Sequence, residues 1–306
     1  MSIQDTAPRY SPAAQLSAEG SRVKSRTGLR YFLRSFSSDS PLNIVALVII
    51  AIFLLMSLLG PTLAPYDPIK PNILVKFHAP STSHLFGTDE LGRDVLSRVM
   101  SGARISLGIA CLILSIAVTA GIIVGAIAGY VGGLVDELLM RVTDVFLAFP
   151  ALILAMAIAA TLGRDITNVV IALTVVYWPW YARLVRSQVI AIKERDYVEA
   201  ARSVGARSRR ILLRHILPNS IAPVIIQLTI DVGYAVLATA GLSFLGLGAQ
   251  PPSPEWGAMI AGARAYFRDA WWYITFPGLA LTFTVVAFNL LGDGLRDYLD
   301  PRTRGR

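Results

Sequence analysis

The sequence is poor in cysteine, histidine and charge. Its 306 residues include one cysteine, Cys111, and three histidines, and only 16% of them are charged. A single cysteine excludes a disulfide within the chain, and because Cys111 lies in an apolar run, we expect a buried packing residue. His78 and His84 stand six positions apart in a polar stretch. Because this is not a metal-ligand spacing, we expect both on the surface.

Several catalytic motifs are absent. No glycine is followed by lysine, which excludes the phosphate-binding loop of P-loop ATPases. Neither the His-Glu-x-x-His helix of metalloproteases nor the Gly-x-Ser-x-Gly nucleophile turn occurs. The sequence therefore predicts that the chain is not an enzyme and that it holds no cofactor of its own.

Apolar residues are abundant instead, at 54% of the chain. Six segments are long enough to cross about 30 Å of hydrocarbon, which takes about 20 residues. They are approximately Leu42–Ala64, Ile105–Tyr130, Val145–Gly163, Ile166–Val185, Ile221–Leu247 and Trp271–Gly292. The predicted fold class is an all-α membrane protein with six transmembrane helices.

The positions of lysine and arginine predict the orientation of the chain. Six precede Leu42, eight lie between Arg186 and Arg214, and four follow Gly294. The turn after the third span has one and the loop after the fifth has two, while the loop 65–104 has five with four acids among them. By the positive-inside rule, both termini and the segment 186–214 are cytoplasmic. The net charge of +8 is therefore attributed to membrane topology and not to a nucleic-acid partner.

The N-terminal third is predicted to hold a tail, one span and a long loop. Residues 1–41 form a polar cytoplasmic tail in which Leu29–Phe36 either lies in the headgroup plane as an interfacial helix or is disordered. Residues 42–104 hold the first transmembrane helix and a long periplasmic loop. Within that loop, the charged stretch Gly87–Arg98 is expected to form an exposed, ion-paired surface helix.

The second span carries glycine at every fourth position. Gly121, Gly125, Gly129 and Gly133 would share one helix face. Small residues at this spacing let helix backbones approach closely within lipid. The pattern predicts a tightly packed helix pair.

Asp231 lies within the fifth predicted span, where an ionisable group is costly and is a functional hypothesis by default. It could line a solute pathway, form a hydrogen bond between subunits, or couple transport to protons. Ion-driven carriers usually have several buried carboxylates or broken helices. Since Asp231 is nearly alone and Asn289 in the sixth span is the next strongly polar candidate, a structural or pathway-lining role is favoured.

A basic segment between two spans is predicted to fold as a helical finger. Lys193 to Val204 is expected to be one helix, which Gly205 ends by a left-handed or tight turn. Ser208 is expected to cap a second short helix that Pro218 ends. A rigid finger of this kind is suited to docking on a partner.

Glu199-Ala200-Ala201, followed by Gly205 and Leu217-Pro218, resembles the EAA loop of ABC importer membrane subunits, with His215 in place of the usual isoleucine. Other stretches are similar to the C subunits of the dipeptide/oligopeptide (peptide/nickel) permease family. They are Phe86–Arg98, Ser243–Gly248 with Pro251-Pro252 and Trp256-Gly257, and Asn289–Asp297 with Asp300–Arg302.

The resemblance implies a type I ABC importer transmembrane domain over residues 105–302, with five helices and a coupling loop at 193–218. The residues that it assigns to coupling with a separate ATPase are Glu199, Ala200, Ala201, Gly205, Leu217 and Pro218. Asp231, Thr239 and Asn289 remain candidates for the pathway or for subunit contacts, and Thr239 stands where the family often has a glutamate.

The resemblance also implies partners in the bacterial inner membrane. These are a second, homologous six-helix permease subunit related by a pseudo-twofold axis, two ATPase subunits that hold ATP and Mg, and a periplasmic or lipid-anchored substrate-binding protein. The expected cargo is a di- or oligopeptide, with a nickel chelate, glutathione or another small peptide-like solute as the alternative. An ion-coupled secondary transporter is a remote alternative.

Overall fold

The computed structural model describes residues 41–299, and this range contains helices and no β-strand. The α-helices of this range are α1 (Pro41–Leu63), α2 (Val95–Val131), α3 (Gly133–Leu147), α4 (Ala151–Leu162), α5 (Ile166–Lys193), α6 (Asp196–Ser203), α7 (Ser208–Ile211), α8 (Leu217–Phe244), α9 (Trp256–Ala263) and α10 (Trp271–Leu299). The predicted interfacial segment Leu29–Phe36 lies outside the described residues.

Five stretches of the described chain are long and apolar enough to cross a membrane: α1, α2, α5, the run from α7 to α8, and α10. The third predicted span, Val145–Gly163, is wrong as a single helix, because α3 and α4 meet at a bend of 85°. Pro150 stands at the start of α4, and a proline has no N–H for the helical ladder and disfavours helix in the residue before it. The number of spans is five, or six if α3 and α4 together make one.

Contacts between helices set their directions. Gly60 near the end of α1 lies against Met100 near the start of α2. Trp256 at the start of α9, just after α8, donates from its indole N–H to the carbonyl oxygen of Val99 at 3.0 Å. α10 then returns antiparallel to α8. Consequently α1 begins and α10 ends at the same end as the loop between α5 and α8, which we call the finger end; the opposite end is the distal end.

The predicted glycine seam joins α2 to α5. A Cβ atom added to Gly121 would lie 2.3 Å from the Cβ of Tyr181, and one added to Gly125 would lie 2.3 Å from the carbonyl oxygen of Ala182. Gly129 faces the same helix, with its nearest atom at 2.9 Å. Real Cβ atoms do not fit at such distances, so the two backbones touch only because these residues are glycine.

Two expectations about α2 are wrong. Gly133 does not extend the seam, because α2 ends at Val131 and a Cβ added to Gly133 would meet nothing within 4 Å. Cys111 is exposed on the surface of this chain rather than buried. An apolar run predicts a membrane helix, but it does not tell which of its faces contacts the same chain.

Glu255 and Trp256 hold the distal end together. The Glu255 carboxylate is buried and accepts hydrogen bonds from the N–H groups of Gly257 and Ala258, so it caps α9. The hydroxyl groups of Ser106 in α2 and Ser243 in α8 also contact it. One carboxylate therefore links three helices at the distal end.

Burial raises the pKa of the Glu255 carboxyl above its ordinary value of 4.5, although the two N–H donors partly oppose this. At a pH between 4.5 and the folded-state pKa, the Glu255 carboxyl keeps its proton in the folded chain and has lost it in the unfolded chain. The contribution of Glu255 to stability is therefore complete below pH 4.5 and is lost as the pH rises through the folded-state pKa. We expect the Glu255→Gln permease to lose less thermal stability than the wild type between pH 4.5 and 8. Unfolding curves against pH check this, with the exposed Glu137→Gln as control; identical profiles for all three proteins would contradict it.

Candidate functional site

The finger, residues 193–218, contains α6 and a left-handed turn. The N–H of Gly205 donates to the carbonyl oxygen of Arg202 at 3.0 Å, and the N–H of Ala206 donates to that of Ala201 at 3.1 Å. These two bonds form a Schellman motif, which needs a residue with positive φ at its turn. Gly205 has a φ of 81°, so the predicted glycine turn is confirmed.

Three local expectations for the finger are wrong. α5 ends at Lys193 and α6 begins at Asp196, so the chain breaks where one helix was predicted. No side chain caps α7, although Ser208 was expected to do so. Pro218 lies in the first turn of α8 and does not end the helix. A π-helical turn at Leu212–Ile216 precedes it, and such a turn accommodates a residue that lacks a backbone donor.

The finger is anchored on one side and exposed on the other. Val198 and Ile211 are buried in the main core. Glu199 is exposed and forms an ion pair with Arg202 at 3.2 Å, one turn along α6. Ala200 is exposed and Val204 is 83% exposed. A docking element requires one side that is fixed in its own bundle and another side that is exposed to the partner.

The remaining predicted finger residues lie nearer the bundle. Ala201 and Leu217 are half-buried against the core, and Pro218 is exposed. His215 is half-buried in the π-helical turn, and its carbonyl oxygen accepts from the Asn219 side chain. Glu199, Ala200, Gly205 and Pro218 therefore form the exposed part of the predicted set.

The charged stretch that was expected to be an exposed surface helix is instead a buried ion cluster at the distal end. Asp89, Arg93 and Arg98 are 0%, 4% and 3% exposed. The Arg93 Nε atom lies 2.6 Å from Asp89 Oδ2, and the Arg98 Nε atom lies 3.5 Å from the same oxygen. The helix begins only at Val95, after Asp94 caps it.

The cluster also binds neighbouring loops. The ring of His84 lies 2.9 Å from Asp94, so this histidine is not a free surface residue as expected, whereas His78 is exposed. Arg98 donates to the carbonyl oxygens of Pro68, Pro252 and Ser253. The Phe86–Arg98 motif and the loop after α8 therefore meet at the distal end.

Removing one partner of a buried ion pair leaves the other charge uncompensated, at a cost of about 3–5 kcal/mol. We expect Asp89→Asn to lower the free energy of unfolding of the permease by about that amount, and therefore its unfolding temperature, because both Arg93 and Arg98 face Asp89. The matched control is Glu137→Gln, since Glu137 and Arg141 form an exposed pair on α3. Scanning fluorimetry of the purified proteins measures both. Equal unfolding temperatures for Asp89→Asn and Glu137→Gln would contradict the prediction.

A mostly apolar pocket with the Asp231 carboxyl group in its wall lies between α5 and α8, halfway along both helices. Trp180 is the fifteenth of 28 residues in α5, and Asp231 is the fifteenth of 28 in α8. The pocket, which we call the midway pocket, has a volume of about 500 Å³. Residues that line it include Tyr177, Trp180, Arg183, Gln227, Asp231 and Tyr234. An apolar pocket of about 440 Å³ adjoins it on the distal side and shares Tyr177, Trp180 and Tyr234.

Asp231 is held by two donors: Gln227, which lines the pocket, and Tyr181, which is buried and does not line it. The Tyr181 hydroxyl donates to one of its oxygens at 2.6 Å, and the Gln227 amide donates to the other at 2.9 Å. Tyr181 is the residue against which Gly121 packs. The glycine seam therefore fixes the side chain that orients Asp231.

The other two pathway candidates do not join Asp231. Thr239 is 1% exposed, and its hydroxyl has no partner within the described residues. Asn289 donates to the carbonyl oxygen of Val285 in its own helix. The aromatic residues of the pocket were missed, although a signal existed: Tyr177-Trp178-Pro179-Trp180-Tyr181 concentrates aromatic residues around a proline inside a span.

Comparison with known proteins fits a transport role. A family model described as the binding-protein-dependent transport system inner membrane component matches residues 121–305. The chain belongs to this family. A second model, the N-terminal transmembrane domain of oligopeptide transport permease C, matches residues 29–80. The chain is therefore a permease component of the bacterial inner membrane and not an enzyme.

Relatives match over most of their length. The chain is 43% identical to a probable D,D-dipeptide transport system permease protein of Escherichia coli K12, over 87% of this chain and 90% of the relative. It is 44% identical to a dipeptide transport system permease protein of Alkalihalophilus pseudofirmus, over 86% of each. It is also 44% identical to a glutathione transport system permease protein of Escherichia coli O6:K15:H31, over 90% and 89%.

A solved structure supports the fold. The crystal structure of an amino acid ABC transporter with histidines contains a chain that matches with a TM-score of 0.52. The match covers 66% of this chain and 94% of that one at 17% identity. The helical fold of this chain is therefore similar to that of a chain of an ABC transporter.

Proposed function

We propose that this permease forms half of the pathway of an ATP-driven importer for di- and oligopeptides. Peptide is proposed as the cargo because relatives at 43–44% identity are named for D,D-dipeptide and dipeptide transport. The midway pocket, with Asp231 in its wall, supports a solute path between α5 and α8. Thr239 and Asn289 are proposed to lie along the same path or at a subunit contact.

The finger is proposed as the coupling element to a separate ATPase. Glu199, Ala200 and Gly205 are exposed on it, while Ala201, Leu217 and Pro218 connect it to the bundle. Closure of an ATPase dimer can move a stiff element but not a flexible loop. The Schellman turn and the buried Val198 and Ile211 supply that stiffness. ATP and Mg are assigned to the partner, so this chain needs no cofactor.

The proposed arrangement has six spans with both termini in the cytoplasm. This topology is supported because α1 begins, α10 ends and the basic finger lies at the same end of the bundle. Residues 1–41 are the tail, 42–104 the first span with its periplasmic loop, and 105–302 the importer domain with its coupling loop 193–218. The partners are a second, homologous permease related by a pseudo-twofold axis, two ATPases and a substrate-binding protein.

Glutathione is a second candidate cargo, because a glutathione permease is as similar to this chain as the dipeptide permeases are. Affinity purification through a tag on this chain should recover a second permease, an ATPase and a binding protein. Proteoliposomes with the recovered complex should take up radiolabelled dialanine in preference to glutathione. Recovery of this chain without an ATPase would contradict the coupling proposal. Faster uptake of glutathione than of dialanine would make glutathione the cargo in place of di- and oligopeptides.

A further inference from the structure

We propose that Asp231 and the aromatic side chains of the midway pocket form a subsite for the positively charged amino group of the solute in transit. This inference rests on the proposed function, since it concerns the peptide that the permease carries.

The charge balance of the pocket favours a cation. Its lining includes one acid, Asp231, and one base, Arg183. Arg183 is already paired with Asp144 of α3. Asp231 accepts only from the neutral Tyr181 and Gln227, and no basic side chain of residues 41–299 pairs with it. The uncompensated charge of the pocket is therefore negative.

Asp231 also retains capacity to accept hydrogen bonds. A carboxylate offers about four acceptor positions on its two oxygens. Tyr181 and Gln227 occupy one on each oxygen. An ammonium group, with three donors, can therefore bind without displacing either partner.

The aromatic rings suit the same ligand. Tyr177, Trp180 and Tyr234 line the pocket, and Trp180 and Tyr234 are 59% and 49% exposed, so their surfaces are accessible to a solute. Aromatic faces attract cations within about 6 Å of the ring centre, most strongly when water is excluded. A volume of about 500 Å³ accommodates a small organic solute.

The donor set favours an organic ammonium over a metal ion. Divalent metal sites use several oxygen, nitrogen or sulfur ligands around one ion. The described residues contain no group of three or more His, Cys, Asp or Glu side chains able to hold a metal. One carboxylate among aromatic rings is instead the chemistry that recognises a protonated amine.

The test measures binding to the membrane complex of permeases and ATPases in nanodiscs, without the binding protein, which has its own selectivity. The probes are dialanine, which has a free amino group, and N-acetyl-dialanine, which does not. We expect wild type to bind dialanine at least about tenfold more tightly than the acetylated probe. Asp231→Asn should reduce this ratio to about one, while the affinity for the acetylated probe stays the same.

Two further variants separate charge from structure. Tyr181→Phe removes one of the two hydrogen bonds that orient Asp231 but keeps the carboxylate, so it should lower the preference for dialanine less than Asp231→Asn does. Gln227→Glu, added to Asp231→Asn, places a carboxylate one turn away in the same pocket and should restore part of the preference. Loss of the preference in Tyr181→Phe to the same extent as in Asp231→Asn would overturn the inference in favour of a structural role.

The inference and the proposed function fail in different ways. If the complete transporter takes up dialanine but Asp231→Asn keeps the wild-type ratio, the subsite is overturned and peptide transport stands. If the complete transporter takes up no peptide, the proposed function fails, and the subsite fails with it.

Discussion

Replacing Gly205 by proline is expected to lower ATP-driven uptake by the assembled transporter while ATP hydrolysis continues. Gly205 has a φ of 81°, and its N–H donates to Arg202. Proline fixes φ near −65° and has no N–H, so the Schellman turn cannot form and the angle between α6 and α7 changes. A coupling free energy of about 1–3 kcal/mol would be lost, which corresponds to about 5- to 150-fold in transport.

The control for this experiment is Gly205→Asn, because asparagine tolerates the left-handed conformation and keeps the donor. It should retain most of the uptake. Rates of uptake and of ATP hydrolysis in the same proteoliposomes give the coupling ratio. Wild-type coupling in Gly205→Pro would show that the finger does not transmit the movement of the ATPase.

Glu199→Lys should uncouple the transporter in the same assay for a different reason. Glu199 is 69% exposed, and its pair with Arg202 lies on the surface, where such pairs contribute little to stability. Its replacement therefore acts on a partner surface and not on the fold of this chain. Arg202→Ala breaks the same pair without reversing the charge of Glu199. If both variants had equal effects, the internal pair rather than docking would explain the result.

Gly125→Leu is expected to prevent assembly of a stable permease. The first side-chain carbon alone would lie 2.3 Å from the carbonyl oxygen of Ala182 and 2.9 Å from the Cβ of Val185. Overpacking a core with an extra methylene costs about 1–3 kcal/mol, and here a whole side chain would separate two backbones. Size-exclusion chromatography of the solubilised protein, with unfolding temperatures, measures the loss.

Gly108→Ala is the matched control, because Gly108 lies on the same helix with nothing within 4 Å of an added Cβ. Alanine favours a helix over glycine by about 1 kcal/mol, so this variant should be at least as stable as wild type. A monodisperse Gly125→Leu permease that unfolds at the wild-type temperature would contradict the close packing of α2 on α5.

Features that depend on local sequence could be predicted. The glycine at position 205 ends α6 because only a residue that tolerates positive φ completes that turn. The four-residue spacing from Gly121 to Gly129 is set by the helical repeat, so a close seam followed from the pattern. Pro150 indicated that the third span could be kinked, and the structure has a bend of 85° at that point.

Features that depend on distant partners could not be predicted in the same way. The charges at 89–98 were interpreted as an exposed, ion-paired helix because charged residues lie mostly on the surface. They are buried because Asp89, Arg93 and Arg98 compensate one another. Arg98 also donates to the carbonyl oxygens of Pro68, earlier in the same loop, and Pro252, in the loop after α8. Nothing in the local sequence reveals those carbonyl groups.

The midway pocket was also predictable only in part. Asp231 could be found because an acid within an apolar span is unusual. Its surroundings could not, because Tyr181 and Trp180 lie on α5, about 50 residues away in sequence. The distance between two helices decides which residues share a pocket, and composition carries no information on that distance.

The most direct test of the central claim is to measure which source of energy drives uptake. Proteoliposomes containing the purified complex and its binding protein would be supplied either with ATP on the finger side or with an imposed proton or sodium gradient and no ATP. Uptake of radiolabelled dialanine is expected only with ATP, and it should persist when a protonophore and a sodium ionophore are present. Uptake driven by an ion gradient in the absence of ATP would contradict the proposal that this permease is moved by an ATPase through its finger.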